Sequence, residues 1–358
     1  MPRPVLRSSP FGTAPDGTPV ERWHLDSGSG VRAEVLTYGG VLHALEVPDR
    51  WGGTRSVVLS LPGVDDYAGP SPYLGALVGR YANRIAEGRF TLDGREHRVP
   101  VNDRGHALHG GPEGFDRRVW TAAPVPDDGA AAVRLTLRSP DGDMGFPGAL
   151  EVSVTYRLDA RGTLALDYRA TADRPTVVNL TSHAYFNLSG GPTVADQVLL
   201  LDADRYLPVT GAGIPYGPLA ATAGTPFDFT TPHAIGERLH APDPQLRAAG
   251  GYDHCWVLRP PEGGAGPRRA ARLEDPVSGR AMEVWTTEPG LQVYTGNLLD
   301  GSLRDAAGRR HERYGAVCLE TQHLPDSPNR PEYPSTVLRP GGVLRSRTEY
   351  RFSLSASG

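Results

Sequence analysis

The stretch "AAAVRLTLRSPDGDMGFPGALEVSVTYRLDARGTLALDYRATA", residues 130–172, decides the fold class. Within "LEVSVTYRL", Leu150, Val152, Val154, Tyr156 and Leu158 fall on one side of an extended chain, and Glu151, Ser153, Thr155 and Arg157 fall on the other. An alternation of period two marks a half-buried antiparallel strand. Strands are expected near 131–138, 149–158 and 163–170, split by the turn-rich pieces "SPDGDMGFPG" and "DARG". Similar short runs recur from about residue 20 to "TEYRFSLSA", punctuated by 44 Gly and 34 Pro, which is the turn chemistry of an all-β chain. Little helix is expected. The pieces "APVPDDGA" (123–130), "HAPDPQLRAAGG" (240–251) and "RPPEGGAGP" (259–267) look like surface loops within one domain spanning residues 1–358. The expectation is a large antiparallel β-sandwich.

Composition narrows the chemistry. A charged fraction of 22% and a net charge of −4 give no electrostatic bias toward nucleic acid or an anionic membrane. No apolar run is long enough to span a bilayer, and the start "MPRPVLRSSPFGTAPDGTP" lacks the continuous apolar core of a secretory signal, so a cytoplasmic protein is expected. The two cysteines, Cys255 and Cys318, are too few for a disulfide framework and read as small buried side chains. All 37 basic residues counted as Lys+Arg are arginine. That excludes imine chemistry on lysine and the lysine-bearing phosphate loop.

Polar residues placed on strands give the candidate site. In "GAVCLETQHLPDSPNRPEYPS" (315–335), Val317, Leu319 and Thr321 form one side of a strand, while Ala316, Cys318, Glu320 and Gln322 form the other. A carboxylate beside an amide and two small residues suits the wall of a cleft. In "PTVVNLTSHAYFNLSGG" (175–191), Asn179, Thr181, His183, Tyr185 and Asn187 share one face, hydrogen-bonding groups interleaved with an aromatic, as a polyhydroxyl ligand requires. A third cluster, 75–116, holds Arg80, Asn83, Arg84, His106 and His109. The His pair has no thiolate neighbour in sequence, and a hydrogen-bonding role is expected and no metal. "GGYDHCW" places Asp253 before an apolar strand, and "EPGLQVYTGNLLDG" places Gln292 and Tyr294 on one strand face.

The order and spacing of "GRYANRIAEGRFTLDG", "LHGGPEGFDRRVW", "SPDGDMGFPG", "SHAYFNLSG", "GYDHCW", "EPGLQVYTGNLLDG" and "LETQHLPDSPN" resemble the aldose 1-epimerase (galactose mutarotase) family, from about residue 15 to 355. The resemblance implies the galactose mutarotase-like supersandwich with the sugar in an open groove. It implies cofactor-free interconversion of the α and β anomers of a free aldose such as glucose or galactose, with a monosaccharide as the partner, in a monomer or homodimer. On the matching motifs, Glu320 is expected to be the general base and His183 the general acid. His109, Asn83, Arg84, Asp253 and Gln292 are expected to hold the sugar hydroxyls and ring oxygen, and Arg80 to be structural. Opening a cyclic hemiacetal needs one group deprotonated and one protonated at neutral pH, which a Glu–His pair supplies.

Tyr216, Pro218 and Cys255 depart from the family pattern at positions that bear on substrate preference. Three rival functions use the same residues. A glycoside hydrolase would take Glu320 and Asp253 as its carboxylate pair. A hexose-phosphate epimerase of the same fold would set Arg80 and Arg84 against phosphate. A non-catalytic sugar-binding protein would keep the groove without turnover.

Overall fold

A computed structural model describes residues 3–261, 264 and 266–355. Residues 262, 263 and 265 of the expected loop 259–267 lie outside the described residues. The three strands expected in 130–172 are present as Ala130–Ser139, Leu150–Asp159 and Leu164–Ala172, paired antiparallel with Val154 opposite both Leu135 and Tyr168. They form one side of a nine-stranded antiparallel sheet, which continues through Leu344–Leu354, Arg280–Thr286 and Arg268–Glu274. The apolar positions of that sheet, including Val152, Val154, Tyr156 and Leu166, are buried in the main core.

A six-stranded sheet supplies the opposing wall. Its order is Tyr185–Phe186, Val317–Gln322, Gly290–Tyr294, Asp253–Val257, Arg205–Tyr206 and Ala220–Ala221. One face of this sheet sends Val317, Leu319, Leu291, Val293 and Trp256 into the main core. The other face carries polar and small residues in registered rows: Glu320 opposite Gln292, and Gln292 opposite Cys255. The adjacent row runs Tyr185, Cys318, Tyr294, Asp253. Because directly paired residues of an antiparallel sheet point to the same side, the apolar half of each strand anchors what the polar half presents. A five-stranded sheet from the first 56 residues, Val5–Thr13 through Thr54–Ser56, adds Leu25, Val35 and Leu45 to the same core.

Two expectations are corrected. The run 175–191 is not one continuous strand. It is three two-residue pieces in three sheets: Thr176–Val177 with Val337–Leu338, Thr181–Ser182 with Leu77–Val78, and Tyr185–Phe186 with Val317–Gln322. The segment threads between sheets, so the alternating residues on both sides are buried. The piece 240–251 is not all loop. Asp243 accepts a 2.7 Å hydrogen bond from the Gln245 N–H and starts the helix Pro244–Ala249, which ends at Gly250 with φ 71°. Proline at the first helical position and a left-handed glycine just past the end are the expected boundaries of a helix. The only other α-helix among the described residues is Val64–Ala68, and none is long and apolar enough to cross a membrane.

Candidate active site

All seven residues singled out as site candidates line one cavity of about 300 Å³. Its floor is the polar face of the six-stranded sheet, which holds Glu320, Gln292 and Asp253 on rigid backbone. The Gln292 amide N–H donates to Asp253 Oδ1 at 2.7 Å, which fixes both side chains. Gln292 Oε1 and Glu320 Oε2 are left buried with no hydrogen-bond partner among the described residues. Buried acceptors without donors are costly, and two converging on one cavity mark where a hydroxyl-bearing ligand is accommodated.

One wall is the segment between Thr181–Ser182 and Tyr185–Phe186, which carries His183. The His183 ring stacks on Tyr185 with centroids 5.1 Å apart and on Tyr73 at 6.0 Å. Its Nε2 stands 3.6 Å from Glu320 Oε1, and Cys318 Sγ lies 3.5 Å from its Nδ1. Both partners are almost wholly buried, Glu320 at 2% exposure and His183 at 5%. Burial, reinforced by the nearby Asp253 charge and opposed by Arg84, holds the Glu320 carboxyl well above its ordinary value. Burial also pushes His183 down to about 4. Both shifts favour the uncharged pair, protonated carboxyl with neutral imidazole, because desolvation penalises each charged form. The Cys318 thiol is raised well above its usual range by burial and the Glu320 charge, so it carries no negative charge beside the imidazole.

The third side comes from residues 83–109. Asn83 and His109 both have left-handed backbone, φ 64° and φ 53°. Such strain in non-glycine residues costs about 1 kcal/mol or more each and collects at functional sites. Gly110 follows at φ 89°, where a Cβ would sit 2.2 Å from Gly79 O, so only glycine lets this turn close. The Asn83 N–H donates to His109 Nδ1 at 3.1 Å, which leaves the imidazole proton on Nε2 and makes His109 a donor from that nitrogen. Arg84 sends both Nε and Nη2 to Asp103 Oδ2 at 2.9 Å.

His109, His183 and Glu320 place one donor atom each within 4.8 Å of one another, a spacing a cation requires. The donor set fits a metal poorly. With Nδ1 of His109 accepting a backbone N–H, its remaining nitrogen is protonated and has no lone pair to offer.

Tyr185 and Tyr294, noted in the sequence on the same faces as His183 and Gln292, also line the cavity, as do Tyr73, Asp103 and Arg104, which were not singled out. Tyr294 shares the strand face of Gln292, a signal visible in the alternation. Asp103 and Arg104 sit in a turn, where no periodicity marks them. Arg80 is outside the cavity lining. Its guanidinium is buried against the Pro147 and Gly148 carbonyls at 3.0 and 2.8 Å and against Ser139 Oγ at 2.6 Å, a structural brace as expected.

A family model described as aldose 1-epimerase matches residues 21–351. The chain belongs to the aldose 1-epimerase family. It is 41% identical over 348 residues to the galactose mutarotase of Bos taurus, covering 96% of this chain and 98% of the relative. It is 39% identical over 354 residues to the aldose 1-epimerase of Escherichia coli K12, covering 97% and 99%. Among solved structures, the galactose 1-epimerase of Lactobacillus acidophilus superposes with a TM-score of 0.86 at 30% identity, over 98% of this chain and 99% of that one. A homologue from C. elegans superposes with a TM-score of 0.81 at 28% identity, over 92% and 97%.

Proposed function

We propose that this chain is an aldose 1-epimerase, a mutarotase that interconverts the α and β anomers of free aldoses by opening and reclosing the ring. The observation that carries the reading is the adjacency of His183 Nε2 and Glu320 Oε1, 3.6 Å apart in a buried cavity. The two oxygens that exchange protons, O1 and the ring oxygen O5, are bonded to the same carbon. A base and an acid that must reach them have to stand side by side, as these do.

In the ring-opening direction the Glu320 carboxylate takes the O1 proton while the C1–O5 bond breaks. The His183 imidazolium gives its Nε2 proton to O5, and the electron pair of the O1–H bond becomes the carbonyl π bond. The open-chain aldehyde turns about C1–C2, and the O5 hydroxyl attacks the other face of C1. The proton returns from O5 to Nε2 and from the carboxyl to O1, so atoms and charge balance. Throughout, Nδ1 keeps its proton, facing the Cys318 sulfur.

Opening converts the charged pair into the uncharged pair. The burial that raises Glu320 and lowers His183 therefore favours the protonation state that accompanies the aldehyde. The charged pair needed to start is supported by the bound sugar, whose hydroxyls supply donors to Glu320 Oε2. Gln292 Oε1, Asp253, the His109 Nε2–H and the Arg84 guanidinium orient the remaining hydroxyls. Positioned acid–base transfer of this kind contributes typically 10²–10⁴-fold, roughly 3–5 kcal/mol.

Exchange spectroscopy by NMR tests the assignment, since it reads interconversion of anomers at equilibrium above the uncatalysed rate. Catalysed exchange of glucose or galactose supports it, whereas hydrolysis of an aryl glycoside or binding without exchange would replace it.

A further inference from the structure

We propose that Asp103 makes this site selective for uncharged aldoses and against aldose phosphates, an inference that rests on the mutarotase reading above. Two arginines line the cavity, Arg84 and Arg104, and an arginine at a sugar site is a natural phosphate ligand because its planar fork matches phosphate oxygens. Here one carboxylate occupies an edge of each fork. Asp103 Oδ2 accepts from Arg84 Nε at 2.9 Å, lies 2.9 Å from Arg84 Nη2, and accepts from Arg104 Nε at 3.3 Å. One carboxylate oxygen thus sits between both guanidinium groups.

The clamp is closed from the other side. Arg104 Nη1 donates to the Gly211 carbonyl at 2.9 Å. Gly213, at φ 80°, packs so closely on Arg84 that a Cβ there would lie 2.8 Å from Arg84 Cζ. The Arg84 side chain is 8% exposed, so it cannot swing out to meet a phosphate. On Arg84 this leaves Nη1 without a protein partner among the described residues, which suits a single hydroxyl acceptor, and on the more exposed Arg104 it leaves Nη2.

Charge balance points the same way. The cavity's two guanidinium groups are matched by Asp103 and Asp253, and the Glu320–His183 pair with its single proton adds no net charge. A dianionic substituent would enter a partly desolvated site with no net positive charge, where like charges are screened far less than in water. The other arginine near the motif, Arg80, is committed to carbonyls outside the cavity.

The test is anomer exchange of glucose and glucose 6-phosphate, each corrected for its uncatalysed rate, in the wild type and in Asp103→Asn and Asp103→Ala. Two substitutions guard against one that fails to fold. The expected result is a wild-type kcat/KM at least about 100-fold higher for glucose. That preference falls by about 10-fold or more in a folded variant, through a lower KM for the phosphate, and the gain fades as salt is raised. A wild type that turns over both sugars within a few-fold overturns the proposal, as does a preference unchanged in both variants. A wild type inactive on every free aldose would instead remove the mutarotase reading itself, a distinguishable outcome.

Discussion

His183 and Glu320 lie on different elements, one between two short strand pieces and the other mid-strand, yet Nε2 and Oε1 are 3.6 Å apart with both side chains buried. With the carboxyl held up and the imidazole held down by burial, the pair carries one proton between those two titrations. In the proposed mechanism this one-proton form is the working form in both directions.

The pH profile of kcat/KM follows from that count. On acidification the pair takes a second proton, on His183, whose pKa is pushed to about 4 by burial. On alkalinisation it loses its only proton, from a Glu320 carboxyl held well above the ordinary carboxylate range. The expected profile is a bell whose acid limb lies near pH 4, below the ordinary histidine value of about 6.5. Anomer exchange extrapolated to zero buffer checks this, and an acid limb at the ordinary histidine value would contradict it.

Replacing Cys318 by Ser tests the contact with His183 Nδ1. A hydroxyl oxygen is the stronger hydrogen-bond acceptor, so it stabilises the imidazolium and moves the acid limb to higher pH. Cys318→Ala removes the acceptor and lowers kcat with little change in KM. Identical pH profiles in all three proteins would show that the sulfur only fills space.

Gln292 and Asp253 act as one hydrogen-bonded unit at 2.7 Å. Gln292→Ala removes an orienting group and leaves the Asp253 carboxylate without its donor. Loss of one or two sugar contacts corresponds to about 1–3 kcal/mol, or roughly a 10- to 100-fold fall in kcat/KM. Steady-state anomer exchange on a panel of aldoses measures it, and unchanged values across the panel would exclude these residues from binding.

Arg80→Met tests the structural brace. The substitution orphans carbonyls of Ser139, Pro140, Pro147 and Gly148 that now accept from a buried guanidinium. Destabilisation of at least about 3 kcal/mol is expected in urea unfolding, with kcat per folded molecule retained. Normal stability with lost turnover would make Arg80 a site residue.

His254, fully buried beneath the site, is pushed down to about 3 by burial, against the opposing Asp243 charge. Its Nδ1 accepts the Asp253 N–H at 3.1 Å and its Nε2 faces Gln245 Oε1 at 3.3 Å, so the neutral ring meets both partners. The unfolded chain protonates this histidine below about pH 6.5 and the folded chain does not. Stability from this group is therefore complete above 6.5 and lost as pH falls toward 3. His254→Asn should flatten the stability profile by about 1.4 kcal/mol per pH unit between about pH 6 and pH 4. Parallel profiles would contradict the buried, neutral assignment.

Strand alternation in 130–172 was legible because buried and outward-facing residues take turns along Leu150–Leu158, so burial follows the period of the backbone. Glu320 and Gln292 were legible for the converse reason, polar groups on strands whose other face is mostly apolar, with Val317 and Leu319 behind one and Leu291 and Val293 behind the other. The broken path of 175–191 was not, since alternation reports which side of the chain is buried and says nothing of which sheet each pair of residues joins. Asp103 became visible only in three dimensions, because its role is set by two arginines, one of them distant in sequence. The proximity of His183 Nε2 to Glu320 Oε1 likewise depends on register between separate strands, fixed by Tyr185 pairing with Cys318.

The most direct test of the central claim is equilibrium anomer exchange of galactose and glucose by Glu320→Gln, with His183→Asn alongside and sugar binding measured on the same samples. Each folded variant is expected to lose about 100- to 10,000-fold in kcat while binding weakens by less than about 10-fold. Exchange near the wild-type rate in a folded Glu320→Gln protein would contradict a carboxylate base and with it the paired proton transfer proposed for this site.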